Sequence, residues 1–339
     1  MKQKILSMLL CVAMVTSLAG CGKDEETLEP VEKSEPVTLV YAEMNPLDTI
    51  AGETAVAFKE KIEEISGGNI TIDIQHSGVM GDETTVVEAM MKGGSTMDMA
   101  RISSTALTSH GGEKSKLLSL PFTFTSHEHF WNFASSDLAD EILGEPSKNG
   151  SGIRGLFYGE EGFRHFFTNQ EITGIEDFMG MKIRVSNDPI MNGLVQGLGA
   201  IPMVVSFNEL YIALQNELVD AAEQPLINYK SNAFQEVAST VILDGHTLGT
   251  MQVIITDEAW NNLSTQQKQW LEEAGDYASS YNRQIAEAAE KKALEELKAE
   301  GVTIIEVDDI TPWKEACNSV IENNIAGNES LYQQIQDMK

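Results

Sequence analysis

The sequence predicts an α/β protein built on open sheets flanked by helices, and three observations lead there. Segment 180–229, GMKIRVSNDPIMNGLVQGLGAIPMVVSFNELYIALQNELVDAAEQPLINY, reads as β-α-β-α-β. Strand and helix patterns alternate over the rest of the chain as well. The length leaves about 300 residues after the N-terminal segment, enough for two lobes with separate cores.

Taken in order, the chain opens with Lys2 and Lys4, an apolar run at 5–15, and LAGC at 18–21. A basic start, a short apolar stretch and small residues make a secretory signal over 1–20, too short to span a bilayer. LAGC looks like a lipobox, with Cys21 acylated; a cleaved signal followed by a fortuitous Cys21 is the alternative. Residues 21–36 are acidic and poor in apolar side chains, and read as a disordered tether. Strands are expected at 38–42, 70–75, 97–102 and 153–158, and helices at 54–66 (ended by Gly67-Gly68), 83–92 and 127–133, the last with Ser126 as N-cap. In 180–229, Met181, Ile183 and Val185 alternate with Lys182, Arg184 and Ser186, the period of a half-buried strand. Asp188-Pro189 supplies an N-cap and a proline at the first helical position, and that helix should fade at Gly197 and Gly199. Strand 201–205 leads into Ser206-Phe207-Asn208-Glu209, a capping box for the next helix. Strand 219–222 is stopped by Glu223-Gln224-Pro225. Residues 251–256 are apolar and β-branched and should cross between lobes. Residues 265–299 form one long helical pattern without the sustained heptad of a coiled coil, and 302–307 is the last strand.

Composition excludes several classes of function. The formal charge is −29, and two units more negative without Lys2 and Lys4, which argues against nucleic acid and for a soluble monomer. Cys11 leaves with the signal, Cys21 carries lipid, and Cys317 remains as a small core residue, so neither a disulfide framework nor metal-ligand spacing is present. His127 and His129 are two apart and point to different helix faces, which defeats joint chelation. No nucleophile elbow, Walker loop or nucleotide fingerprint occurs, so no catalysis and no cofactor is expected. The chain carries 18 lysines but five arginines, four of them between positions 101 and 184. Arginine is the planar fork suited to carboxylates, and its concentration in one stretch is suggestive of an anion site.

Segment 180–229 also resembles the solute receptors of tripartite ATP-independent periplasmic (TRAP) transporters, in lipoprotein form. The pattern G-x-K-x-R-V stands at 180–185, L-G-A at 198–200, F-x-E-x-Y-x-A-L-Q at 207–215 and D-x-x-E-x-P at 220–225. FKEKIEEISGG (58–68), SGVMG (77–81) and LPF (120–122) extend the resemblance from about 38 to about 331. It implies a two-lobed periplasmic-binding-protein-like fold with a mixed sheet in each lobe, hinge strands, and 265–299 as the long connecting helix. Residues 37–160 with 250–289 would form lobe I, and 161–249 with 290–339 lobe II.

The resemblance also assigns roles. Arg184 matches the arginine that clamps the ligand carboxylate. Arg164 matches a second, assisting arginine; an ion pair with Glu160 or Glu161 is the structural alternative. Phe207 matches an aromatic over the ligand, or else fills the core. Gln224 departs from the family, which has asparagine there; one extra methylene implies a shifted or smaller ligand, or a bridging water. Arg101 is a candidate for a second carboxylate or for sugar hydroxyls. Glu43, Asn45 and Glu83 are hydroxyl-binding candidates, and His246 a weaker one. The implied function is capture of a small organic acid and delivery to a TRAP membrane permease, with a sugar acid (uronate or aldonate) as the preferred ligand. A C4-dicarboxylate receptor, or a receptor presenting ligand to a sensor kinase, is the alternative. Lipid anchoring favours a Gram-positive outer face, with the periplasm as the other location.

Overall fold

The computed structural model describes residues 34–94 and 96–339. The expected signal, tether and Cys21 therefore lie outside the described residues, except for the last three tether positions. Among the described residues nine strands form one continuous mixed sheet: β1 (Val37–Ala42), β2 (Ile70–Gln75), β3 (Met99–Ser103), β4 (Ile153–Thr168), β5 (Lys182–Val185), β6 (Ile201–Val204), β7 (Ala221–Pro225), β8 (Thr240–Thr256) and β9 (Thr303–Glu306). Their order is β2-β1-β3-β8-β4-β7-β5-β6, with β9 also on β8. β1 pairs β2 and β3 in parallel at one end, and β5 pairs β6 and β7 in parallel at the other. Between these two βαβ arrays run β4 and β8, antiparallel and 16 and 17 residues long. The resemblance implies a mixed sheet in each lobe; the two are in fact joined by these strands into one ladder.

Three strands run beyond their expected bounds. β8 begins at Thr240, eleven residues before the expected start at 251, because β4 and β9 pair with that stretch. β4 continues ten residues past Tyr158, because β8 offers a partner where Gly159-Glu160-Glu161-Gly162 looks like a turn. β7 runs through Glu223, Gln224 and Pro225, the residues expected to stop it. β4 supplies the missing ladder from Arg164 to Thr168, and Pro225 sits at the strand end. Elsewhere local signals match the elements. Asp188 caps helix Pro189–Gly197 through the Ile190 amide, and Ser264 with Gln267 forms a reciprocal capping box for helix Thr265–Ala299. Ser206 donates to Glu209 at 2.8 Å, but the chain then makes a 3₁₀ turn at Phe207–Glu209 before helix Leu210–Gln215.

The middle of β4 is irregular. Register with β8 slips between Glu160 and Phe163 and again between Arg164 and Phe166, with Gly162 at φ +89°. Such a bulge leaves backbone groups outside the ladder, and the long helix satisfies them. Asn282, fully buried, accepts from the Glu160 amide at 2.9 Å and donates to the Glu160 carbonyl at 3.0 Å. Two helical turns on, Glu290 accepts from the Phe163 amide at 2.7 Å. Helix Thr265–Ala299 thus splints both sides of the bulge, which explains why its packed face carries Asn282 and Glu290 among alanines. Cores lie on both sides of this splint. Phe58, Ile72, Val253 and Leu271 belong to one, and Phe166, Ile183, Leu194 and Trp313 to another. Cys317 is buried in the second, on helix Thr311–Ile325. Among the described residues no helix is long and apolar enough to cross a membrane.

Candidate functional site

A cleft of about 190 Å³ opens where the parallel strands end. This is the place open α/β sheets reserve for ligands, since strand ends present loops and helix N-termini there. Asn45 follows β1, and Glu83 starts helix Glu83–Met91. Arg101 lies on β3, Glu161 and Arg164 on the β4 bulge, Arg184 on β5, Phe207 just past β6, and Gln224 on β7. Seven of the eight ligand candidates read from the sequence line this cleft. Glu43 does not: it is 1% exposed, behind Arg101.

The three arginines differ in what neutralises them. Arg101 gives Nη2 to Glu43 Oε1 at 2.7 Å and Nη1 to Glu83 Oε1 at 3.2 Å, with Glu161 Oε1 at 3.4 Å. Burial acts to lower its pKa, yet these carboxylates outweigh it and hold the guanidinium well above its usual range. Glu43 is therefore a support for Arg101, not a hydroxyl contact. Arg164 pairs with Glu223 through Nε and, at 2.9 Å, through Nη2. The ion pair with Glu160 or Glu161, the structural alternative for Arg164, is not formed, because Glu223 lies beside Arg164 across the β4–β7 ladder. Glu160 instead accepts from Trp131 Nε1 at 2.8 Å and meets His127 Nδ1 at 2.6 Å.

Arg184 stands apart. It is 3% exposed, its Nε donates to the Val205 carbonyl at 2.9 Å, and its terminal nitrogens have no carboxylate partner among the described residues. Burial pulls its pKa down to about 10, helped by the nearby Arg164 and only partly opposed by Glu223. A desolvated guanidinium without a counter-ion is the arrangement that an incoming anion relieves.

Behind Arg164 runs a buried line of alternating charge. His246 Nδ1 meets Asp244 at 2.6 Å, and its Nε2 lies 3.6 Å from Glu223, close enough for charge attraction but not hydrogen-bonded. Burial would lower the His246 pKa, but Asp244 and Glu223 overcome it and hold it at about 9. Burial likewise acts to raise Glu223, while Arg164 and His246 bring it to about 2. His246, offered by the sequence as a weak ligand candidate, is fully buried and not a lining residue. It supports Glu223. Phe207 is half-buried, with its ring edge-to-face against Phe234 and another side on the cleft, so both of its readings describe part of it. Gln224 is buried in the cleft wall. His129 donates its Nε2–H to the Ile335 carbonyl, 2.7 Å away, on the far face from His127.

Sequence reasoning missed Glu161, Asp188, Asn228 and Thr247, which also line the cleft. Asp188 carried a signal as a helix N-cap, and Glu161 as part of an acidic pair. Nothing local distinguished Asn228 or Thr247.

Two βαβ arrays joined by long strands, with an arginine-bearing cleft at the strand ends, define a two-lobed solute-binding receptor. Residues 41–328 match the family model DctP, described as bacterial extracellular solute-binding protein, family 7, and the chain belongs to that family. These are TRAP receptors, not enzymes, and they work with membrane permease subunits. The chain is 25% identical over 315 residues to the C4-dicarboxylate-binding periplasmic protein DctP of Rhodobacter capsulatus, covering 92% of this chain and 93% of that one. Among solved structures, a TRAP periplasmic solute binding protein from Pseudomonas putida F1 with bound D-glucuronate is 26% identical at TM-score 0.84, covering 88% of this chain and 96% of that one. One from Bradyrhizobium sp. in complex with galacturonate is 27% identical at TM-score 0.84, over 89% of this chain and all of that one.

Proposed function

We propose that this receptor captures a sugar acid, a uronate or aldonate, by clamping its carboxylate on Arg184, and delivers it to a TRAP-type permease. The observation that carries the reading is the buried Arg184 guanidinium, without a carboxylate partner among the described residues, at the strand ends and facing the cleft. Relatives of the same fold hold D-glucuronate and galacturonate, which favours this class for a cleft with so many polar walls. Residues 37–160 with 250–289 and 161–249 with 290–339 act as the two lobes, hinged at the β4 bulge. The receptor works as a monomer, tethered outside the membrane through lipid on Cys21. The Rhodobacter capsulatus relative favours a second reading, a C4-dicarboxylate ligand.

The test is calorimetric titration of the purified, ligand-stripped protein with D-glucuronate, D-galacturonate, an aldonate and succinate. Two charge-assisted hydrogen bonds are each worth roughly 1.5–3 kcal/mol. Arg184→Ala should therefore weaken the best acid by at least about 100-fold. Arg184→Lys should not restore it, because the planar fork is lost. Retained affinity in Arg184→Ala would sink the assignment.

A further inference from the structure

Among the described residues, three that line the cleft have buried polar atoms without a hydrogen-bond partner: Asp188 Oδ2, Asn228 Oδ1 and Thr247 Oγ1. All three side chains are nine-tenths or more buried, at 3%, 2% and 3% exposure. Orphaned buried polar atoms are uncommon because each costs most of its lost hydration. Three in one cavity wall point to an occupant that satisfies them.

Their chemistry limits that occupant. Asp188 Oδ1 accepts from the Ile190 amide, and the Met191 amide and Thr105 side chain also act on the carboxylate, but Oδ2 has no hydrogen-bond partner. A carboxylate oxygen and an amide oxygen only accept, and a threonine hydroxyl both accepts and donates. The set therefore asks for donors. Sheet register distributes these atoms around the arginines. Thr247 lies opposite Arg164 on β8, Asn228 follows three residues after Pro225, which is opposite Arg164 on β7, and Asp188 follows four residues after Arg184.

The charges point the same way. Arg164 is neutralised by Glu223, and Arg101 by Glu43, Glu83 and Glu161. Among the described residues, Arg184 is the cleft arginine that remains for an anion. A second ligand carboxylate would meet acceptors and protein carboxylates.

We propose that Asp188, Asn228 and Thr247 form a hydroxyl-reading subsite that restricts the ligand to a polyhydroxylated monocarboxylate and excludes dicarboxylates. This rests on Arg184 as the carboxylate clamp. Ligand hydroxyls donate to Asp188 Oδ2 and Asn228 Oδ1, and Thr247 completes the set in either sense.

The experiment is a titration series with the purified protein. Its probes are a hexuronate, its mono-deoxy analogues, and adipate, a dicarboxylate of equal chain length. Variants are Thr247→Val, Asn228→Leu and Asp188→Asn, the last keeping an N-cap acceptor so that its helix stays formed. Wild type should bind the uronate at least about 100-fold tighter than adipate, and should lose about tenfold for a deoxy analogue lacking a hydroxyl that is read. Thr247→Val or Asp188→Asn should weaken the uronate about tenfold yet bind one deoxy analogue as well as wild type does. Losses that simply add for every variant and analogue would assign these residues a structural role and overturn the inference. Adipate bound as tightly as the uronate would overturn it while leaving the Arg184 reading intact. Binding of no carboxylate at all would overturn both.

Discussion

Replacing Arg184 by methionine should make the protein more stable and useless as a receptor. The fold depresses the Arg184 pKa well below the usual guanidinium range, to about 10, chiefly by burial. A depressed pKa for a base means that the folded state disfavours the charged form. At every pH below about 10 the charged guanidinium thus costs stability, on the order of 3 kcal/mol from the size of the shift. Methionine is unbranched and fills the same channel without charge. What it gives up is the hydrogen bond to the Val205 carbonyl, worth about 1–1.5 kcal/mol, and that half-buried carbonyl can hydrate. The balance is a gain of about 1–2 kcal/mol. For a chain of this size that is a rise in melting temperature of several degrees. The assay is differential scanning fluorimetry of ligand-stripped protein, with and without saturating acid. Wild type should gain about 2.7 kcal/mol at 100 times its dissociation constant, and Arg184→Met should gain nothing. A ligand-free variant that melts below wild type would refute the claim that Arg184 is uncompensated. A surviving ligand shift would refute its role as the clamp.

Other consequences can be checked independently. The folded-state pKa of His246 is raised to about 9 against 6.5 unfolded, so its contribution is complete below pH 6.5 and is lost as pH rises through 9. Melting temperature should therefore fall more steeply from pH 6.5 to 9 in wild type than in His246→Gln, by an amount on the order of 3 kcal/mol at most; equal slopes would mean that burial keeps His246 neutral. Gly52 packs its α-carbon against the 46–47 backbone, and an added Cβ would meet Pro46 O at 2.4 Å and Leu47 Cα at 2.5 Å. Gly52→Ala should cost about 1–3 kcal/mol in urea unfolding and, by moving the turn beside Asn45, weaken ligand binding in calorimetry. The Cys317 thiol is buried and pushed up to about 12, so a chromogenic disulfide reagent should label it only after denaturant is added. Labelling at native rates typical of a free thiol would contradict its place in the core.

Much of the fold is written locally in this chain. Strand Ile70–Gln75 and helices Pro189–Gly197 and Thr265–Ala299 fall where alternation, Asp188-Pro189 and the long helical pattern place them, because those signals are carried by near neighbours in the chain. The family resemblance rests on motifs of the same short range. The second halves of β4 and β7 and the first half of β8 were not legible. The expected strand ends at 158 and Glu223-Gln224-Pro225 reads as a strand stop, and only partners from distant segments, with Asn282 and Glu290 on the long helix, hold these stretches extended.

The site divides the same way. The sequence alone determined that arginines are few and concentrated, and that Arg101, Arg164 and Arg184 were the ones to follow. Which of them is left for an anion was decided by tertiary structure. Glu43 reaches Arg101 across 58 residues and Glu223 reaches Arg164 across 59, while among the described residues no carboxylate reaches Arg184. Residue identity sets how much charge a side chain carries, but the energy of a buried charge depends on its neighbours in space, and those are fixed only when the strands meet.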